Sequence, residues 1–370
     1  TYQYRILASN TAGSVWSDQK SFLTGDGNAY YVATNGTGAG TNWATAFSNF
    51  QTALDTATNG EFIYIEGGTY PITNQLIWTN SGVTILGAYE GIDAAGPGEF
   101  SVTNWPTVLA RPSSTTNRIM LASEVNGGTL GRLTLSNGYL NAVSGAAGGC
   151  LCVVGASDLL LSSLTLAGGN IVVDSYAPAM GAGLSIAHST NVVLAGSTIR
   201  DNRGTCYAPF LGSGIYATNT TLTITNCVVR NNEGGYYIGT GADQGVWGGG
   251  MCLKSCKATV VDTTVAANYS RGHYQFTTFL GAGLYVDGGT NLFRNCLIAG
   301  NNTRINTHNS SLAYGDGVYL LKGVSTFANC TFIRNNGHGI YYKGGSVTVT
   351  NSILWDNLDD LANFPTNGQG

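Results

Sequence analysis

The sequence predicts an all-β fold: a right-handed parallel β-helix with a short N-terminal capping helix and long inserted loops on one face. Three observations predict it. First, Gly-x-Gly followed by an aliphatic residue opens six units, at Gly181 to Leu184, Gly212 to Ile215, Gly248 to Met251, Gly281 to Leu284, Gly315 to Val318 and Gly337 to Ile340. Second, each unit closes on an asparagine three residues after an aliphatic or aromatic one: Ile199/Asn202, Val229/Asn232, Val265/Asn268, Ile298/Asn301, Phe332/Asn335 and Leu354/Asn357. Third, the shortest period, Gly315 to Gly337, has room for three strands of about five residues with turns of about two or three. Units this small cannot bury a hydrophobic face alone and must stack on neighbours. A propeller blade needs more strands per unit, and the leucine spacing of a horseshoe is missing. The right hand follows from the crossover preference of twisted strands.

In chain order, residues 1–25 form a segment of their own. Thr1 to Gly13, followed by Trp16-Ser17 and Ser21 to Thr24, resembles the last two strands of a fibronectin type III domain, with Tyr2 as its corner tyrosine. Residues 26–370 are the β-helix domain, with an entrance at 30–91 and repeats over about 120–357. Ala44 to Ala57 places Phe47, Phe50 and Leu54 on one helical face, which suits a short helix covering an open first rung. Strands follow at Phe62 to Ile65 and Val83 to Leu86, and the proline-bearing stretch Ala88 to Pro112 reads as a loop leaving the coil. Within the repeats, Leu222-Thr223-Ile224-Thr225 and Ser346 to Thr350 alternate apolar and polar residues as half-buried strands do. The last residues, Phe364-Pro365-Thr366, carry no cap, so both ends read as cut from a larger modular protein.

Stacked rungs turn equivalent positions into columns. Asn226, Asn295, Asn329 and Asn351 share one, and Cys227, Cys296 and Cys330 share the next with Ser197, Thr263 and Ser352. Stacked asparagines can hydrogen-bond along the axis as a structural ladder. A second column, Asn202 to Asn357, falls at a corner, where asparagine tolerates the left-handed backbone. The cysteine column reads as buried and reduced, and Cys150/Cys152 as packing residues. Cys252 and Cys256 could bridge a turn at Lys254-Ser255.

Charged residues make up 10% of the chain and the net charge is −4, which disfavours a nucleic-acid partner. No run of about 18 apolar residues exists to span a membrane as a helix. Abundant glycine, threonine and asparagine suit an extracellular or cell-surface location.

The Tyr31 to Gly36 opening, the helix, and Gly67-Gly68-Thr69-Tyr70 resemble bacterial secreted proteins of the right-handed parallel β-helix or pectate-lyase-like kind. The Gly-x-Gly and Phe-x-x-Asn units are similar to repeats of polymorphic outer-membrane proteins and autotransporter passengers. Two departures stand out: that family's Gly-Gly-Ala is here Gly-x-Gly, and only Phe332 supplies the literal phenylalanine. The resemblance covers about 30–357 and implies the fold, while its members include lyases, hydrolases, adhesins and inert spacers.

The most function-suggestive feature is a set of insertions at 171–180, 203–211, 233–247, 269–280 and 302–314, all leaving the coil at one corner. At the rung spacing they pile up over about 20 Å. They are rich in rings: Tyr176, Tyr207, Phe210, Tyr236, Tyr237, Trp247, Tyr269, Tyr274, Phe276, Phe279 and Tyr314. Tyr207, Tyr236, Tyr237, Trp247, Tyr274 and Phe276 are the candidate binding residues, since aromatic platforms suit sugar rings or a protein partner. The competing reading is that these rings pack on one another to bury the loops. Catalytic candidates on the same face are Arg271, His273, Glu233 and Asp243, beside Arg203, Arg304, His308 and Asp174. Uronic-acid lyases of this fold use a basic residue and hydrolases use paired carboxylates. No metal site or cofactor is expected. The expected function is a non-enzymatic surface or matrix segment, a spacer or adhesin that binds glycan or protein, or assembles with its own copies, through stacked aromatic loops. The alternative is a polysaccharide lyase or glycoside hydrolase acting on an acidic polysaccharide.

Overall fold

The computed structural model describes residues 2–4, 7–10, 13–16, 20–22, 28–92, 96–236, 245–272, 278–305 and 312–362. The first four segments, and residues 236, 272, 304–305 and 312, are described as backbone alone. Those first segments pair antiparallel, Tyr2–Tyr4 with Lys20–Phe22 and Leu7–Asn10 with Gly13–Trp16. The rest is a parallel β-helix, as the repeats predict. Its walls are a main sheet of 18 strands, a narrow sheet of 10, and two lateral sheets of 6 strands each. One middle rung shows the circuit. Leu184–Ala187 and Val192–Ala195 lie in the main sheet, Thr198–Arg200 in the narrow sheet, and Arg203–Cys206 and Phe210–Leu211 in the lateral sheets.

The interior follows from strand alternation. Leu222 and Ile224 point inward while Thr221 and Thr223 face outward, and each column continues on the next rung, where Leu222 pairs with Ala258 and Ile224 with Val260. Rings stack as well: Phe293 and Phe327 lie 4.7 Å apart and nearly parallel.

Both repeat signals belong to one corner. Gly212 has φ +58°, and a Cβ there would sit 2.0 Å from the Ile215 carbonyl oxygen. At Gly214 a Cβ would sit 2.7 Å from Asn232 Nδ2, so the second glycine leaves room for the asparagine that ends the unit. That asparagine joins a buried ladder. Asn232 Nδ2 donates to Asn268 Oδ1 at 3.0 Å and to the Ile199 carbonyl at 3.0 Å, and the pattern repeats from Asn202 to Asn357. The expectation that these asparagines take the left-handed backbone is corrected. The residue before each takes it, at Asp201, Asn231, Ala267 and Arg334, which frees the asparagine to turn its amide inward. The other column, Asn226, Asn295, Asn329 and Asn351, is left-handed at φ 47–55°, and its last three members form an exposed ladder.

All eight cysteines are free and buried, so Cys252 and Cys256 form no bridge; they lie on either side of the left-handed Ser255, where the strand Met251–Val261 bends. Cys227, Cys296 and Cys330 belong to the coil core. Each thiol donates to the carbonyl two residues earlier, on Thr225, Arg294 and Ala328. The hydroxyls of Ser197, Thr263 and Ser352 make the same bond, which explains why Ser, Thr and Cys interchange in this slot.

At the entrance the α-helix is Phe50–Thr56, shorter than the pattern from Ala44 suggests. Asn49 caps it by accepting the Gln51 N–H at 2.8 Å, so Phe47 precedes the helix instead of sharing its face. Phe50 and Leu54 are buried in the coil core. The expected loop at 88–112 holds the strand Thr107–Ala110, paired with Gly68–Pro71 and Leu133–Ser136 in the narrow sheet. Phe364 to Thr366 lie outside the described residues.

Candidate functional site

The insertions are not loops piled on the coil, as the sequence suggests. Each carries two strands, and the series begins one rung earlier, with Tyr139–Ala142 and Ala146–Ala147. Backbone groups leaving one corner at rung spacing find their partners in the insertion above and below, so they pair as sheets. The resulting lateral lobe has its own core of Ile171, Val173, Cys206, Phe210, Val246 and Phe279.

Alternation sorts the candidate rings. Phe210 and Phe279 point between the two lateral sheets. Trp247, beside Val246, faces the re-entrant corner against the main sheet, where it stacks on Tyr285 at 5.5 Å. Tyr285, Tyr319 and Tyr341 continue that column at 5.7 and 5.3 Å. Trp247 is therefore a packing residue over much of its surface, and its Nε1 is buried without a partner.

The lobe's tip, where the first lateral strand hands over to the second, presents a different surface. Tyr176-Ala177-Pro178 and Tyr207-Ala208-Pro209 stand on successive rungs at equivalent places, a repeat the sequence carries openly. Their rings lie 6.2 Å apart at 46°. Tyr176 is 70% exposed, and Val143 on the rung before is 84% exposed. A recess of about 310 Å³ opens beside Tyr207, lined by Val172, Asp174 and Thr205. Proline fixes φ in both turns, so the rings are presented at low conformational cost.

The lobe's outward face runs from this tip to the corner with the narrow sheet. Its near column is Tyr139, Asn170, Arg203, Glu233 and Tyr269 on consecutive rungs. Arg271 and Glu233 come together there, Nη1 to Oε1 at 3.2 Å. Arg200 pairs with Asp201. A second recess of about 440 Å³ lies at the corner, lined by Arg111, Asn137, Tyr139, Asn170, Asp201 and Arg203. Sequence reasoning missed Arg111, because the proline-bearing stretch around it reads as a loop. Of the other candidates, only the backbone of Tyr236 and of Arg304 is described, while Tyr237, Asp243, His273, Tyr274, Phe276 and His308 lie outside the described residues. Among the described residues, no group of three or more His, Cys, Asp or Glu could hold a metal ion.

The sequence matches the family described as right handed beta helix region over residues 62–301 and again over 244–359. The chain belongs to that family. Solved structures similar to this β-helix protein include pectate lyase Pel9A, at 14% identity over 89% of this chain and 80% of that one, with a TM-score of 0.48. The alginate lyase of Paenibacillus sp. str. FPU-7 is similar at 13% identity over 89% of this chain and 97% of that one, TM-score 0.45. PfbA, a surface adhesin of Streptococcus pneumoniae, is similar at 12% identity over 84% and 88%, TM-score 0.32. These likenesses concern the fold. No curated protein matches the sequence.

Proposed function

We propose that this β-helix protein is a non-enzymatic extracellular recognition segment, in which the coil is a rigid spacer and the lateral lobe binds glycan. The observation that carries the reading is the exposed Tyr176 with the half-buried Tyr207 next to it, beside the recess that Tyr207 lines. Had the rings been needed to bury the lobe, they would point inward. The lobe instead has an aliphatic and phenylalanine core of its own, to which neither ring belongs. A pyranose presents a C–H face to an aromatic ring and hydroxyls to a carboxylate, and Asp174 lines the recess beside the rings. The low charge content and the Gly-, Thr- and Asn-rich surface support an extracellular setting. Among the described residues no helix is long and apolar enough to cross a membrane. Glu233 and Arg271 neutralise each other, which favours a positioning role over acid–base catalysis on a polysaccharide.

The test is affinity electrophoresis and calorimetry against a panel of soluble polysaccharides, comparing the native chain with Tyr176→Ala/Tyr207→Ala. Binding should weaken by about tenfold or more with an unchanged far-ultraviolet dichroism spectrum. Native binding that survives in the double variant sinks the reading, as does accumulation of cleaved sugar product.

A further inference from the structure

The two recesses on the lobe share a pair of strands. Asn170–Val173 and Arg203–Cys206 carry Asn170 and Arg203 at their starts, Val172 and Thr205 in the middle, and lead into Asp174 and Tyr207 at the tip. A ligand that stacks on the tyrosines therefore meets the corner recess about 13 Å away, by strand rise over four residues.

That recess is built for negative charge. Arg111 donates from Nε to the Asn137 carbonyl at 2.6 Å and from Nη1 to the carbonyls of Pro112 and Thr115. Of a guanidinium's donors, the pair on Nη2 remains. Neutral carbonyls fix the group without cancelling its charge, and the Tyr139 ring lies 5.4 Å from its carbon. Arg203 is exposed and takes part in no ion pair among the described residues. The nearby carboxylates are both engaged, Asp201 by Arg200 and Glu233 by Arg271. Two guanidiniums that enter no ion pair among the described residues thus line one recess, whose single carboxylate, Asp201, is held by Arg200, in a chain of net charge −4. Asn170, which lies between Tyr139 and Arg203 in the column, adds an uncharged amide.

We infer that the corner recess is an anion subsite, taking a carboxylate- or sulfate-bearing sugar of an oligosaccharide whose neighbouring ring stacks on Tyr176 and Tyr207. This rests on the glycan reading and sharpens it. The ligand lies across the rungs' width, along the strand direction, and it is a mixed or acidic glycan held by arginine forks at one end and by rings at the other.

Three probes separate the possibilities: an oligoglucuronate, the same oligomer reduced to neutral glucose at its carboxyls, and a sulfated oligoglucose. Each is titrated calorimetrically into the native chain, Arg203→Gln and Tyr176→Ala/Tyr207→Ala, at low and high sodium chloride. The native chain should prefer a charged oligomer over the neutral one by about tenfold, and salt should erase the preference. Whichever charged oligomer is preferred names the anion. Arg203→Gln should remove the preference, while the tyrosine variant should weaken all binding. Tyrosine-dependent binding with no charge preference, or a preference that survives Arg203→Gln, overturns the inference and leaves the glycan reading standing. Arginine-dependent binding indifferent to the tyrosines overturns the glycan reading, and with it the combined site. Absence of binding to either charged oligomer at millimolar concentration also overturns the inference.

Discussion

Replacing Asn268 by alanine should be among the most damaging single changes in the coil. The Asn268 side chain makes four hydrogen bonds within the ladder. Its Oδ1 accepts the Asn232 backbone N–H at 3.1 Å and Asn232 Nδ2 at 3.0 Å, and its Nδ2 donates to the Val229 carbonyl and to Asn301 Oδ1, each at 3.0 Å. Truncation leaves these partners buried without replacements, and at about 1 kcal/mol for each lost bond the loss is about 4 kcal/mol. The exposed ladder supplies the control. Asn329 also bonds above and below, to Asn295 and Asn351, but its partners can turn to water. Its φ of 55° suits glycine, so Asn329→Gly should cost about 0.5 kcal/mol. Guanidinium unfolding followed by dichroism measures both. A loss under about 1 kcal/mol for Asn268→Ala, or equal losses at the two sites, would refute the view that burial makes the ladder strong.

Two further outcomes are expected. The buried thiols of Cys150, Cys206, Cys227 and Cys256 should react slowly with a thiol reagent in the native chain, because burial pushes Cys150 and Cys206 up to about 12 and raises Cys227 and Cys256; fast native labelling at any of the four would contradict this. Asp316 is buried where the lobe ends, its carboxylate accepting the Thr303 N–H and hydroxyl, and burial holds its pKa above the ordinary carboxylate value despite the opposing pull of those bonds and of His338. A raised folded pKa means the folded chain holds this proton more tightly than the unfolded one. Its contribution is therefore present below the unfolded value of about 3.9 and lost as pH rises through the folded value. Asp316→Asn should flatten that fall and unfold at higher denaturant than the native chain at neutral pH; a native profile that rises relative to the variant through this window would reverse the sign.

The coil was legible because its corners constrain residue type directly. Gly214 and Asn232 occupy one contact, and neither position accepts an alternative cheaply, so the pattern survives in the primary structure. The lobe strands were not legible for the opposite reason. Arg203-Gly204-Thr205-Cys206 has little apolar alternation, and it is a strand because the neighbouring rungs pair with it on both sides. Thr107–Ala110 was hidden by the Pro106 that precedes it, although proline is harmless just outside a strand. Of the site, Glu233 and Arg271 do meet, whereas Trp247 turns to the main sheet because its neighbour Val246 fills the lobe core. The Tyr-Ala-Pro repeat was the readable sign of the tip, overlooked because attention to the rings alone misses the turn that aims them.

The handover between the two lateral strands of a rung takes from 3 to 8 residues, while the strands on either side stay in register with their neighbours. Length and sequence at the tip are thereby uncoupled from the geometry of the coil. Insertion, deletion or exchange of side chains there leaves the asparagine and glycine corners untouched. Descendants of such a chain can alter what the tip meets, rung by rung, without refolding the scaffold that carries it, so variation among relatives should concentrate in these handovers while the corners stay fixed.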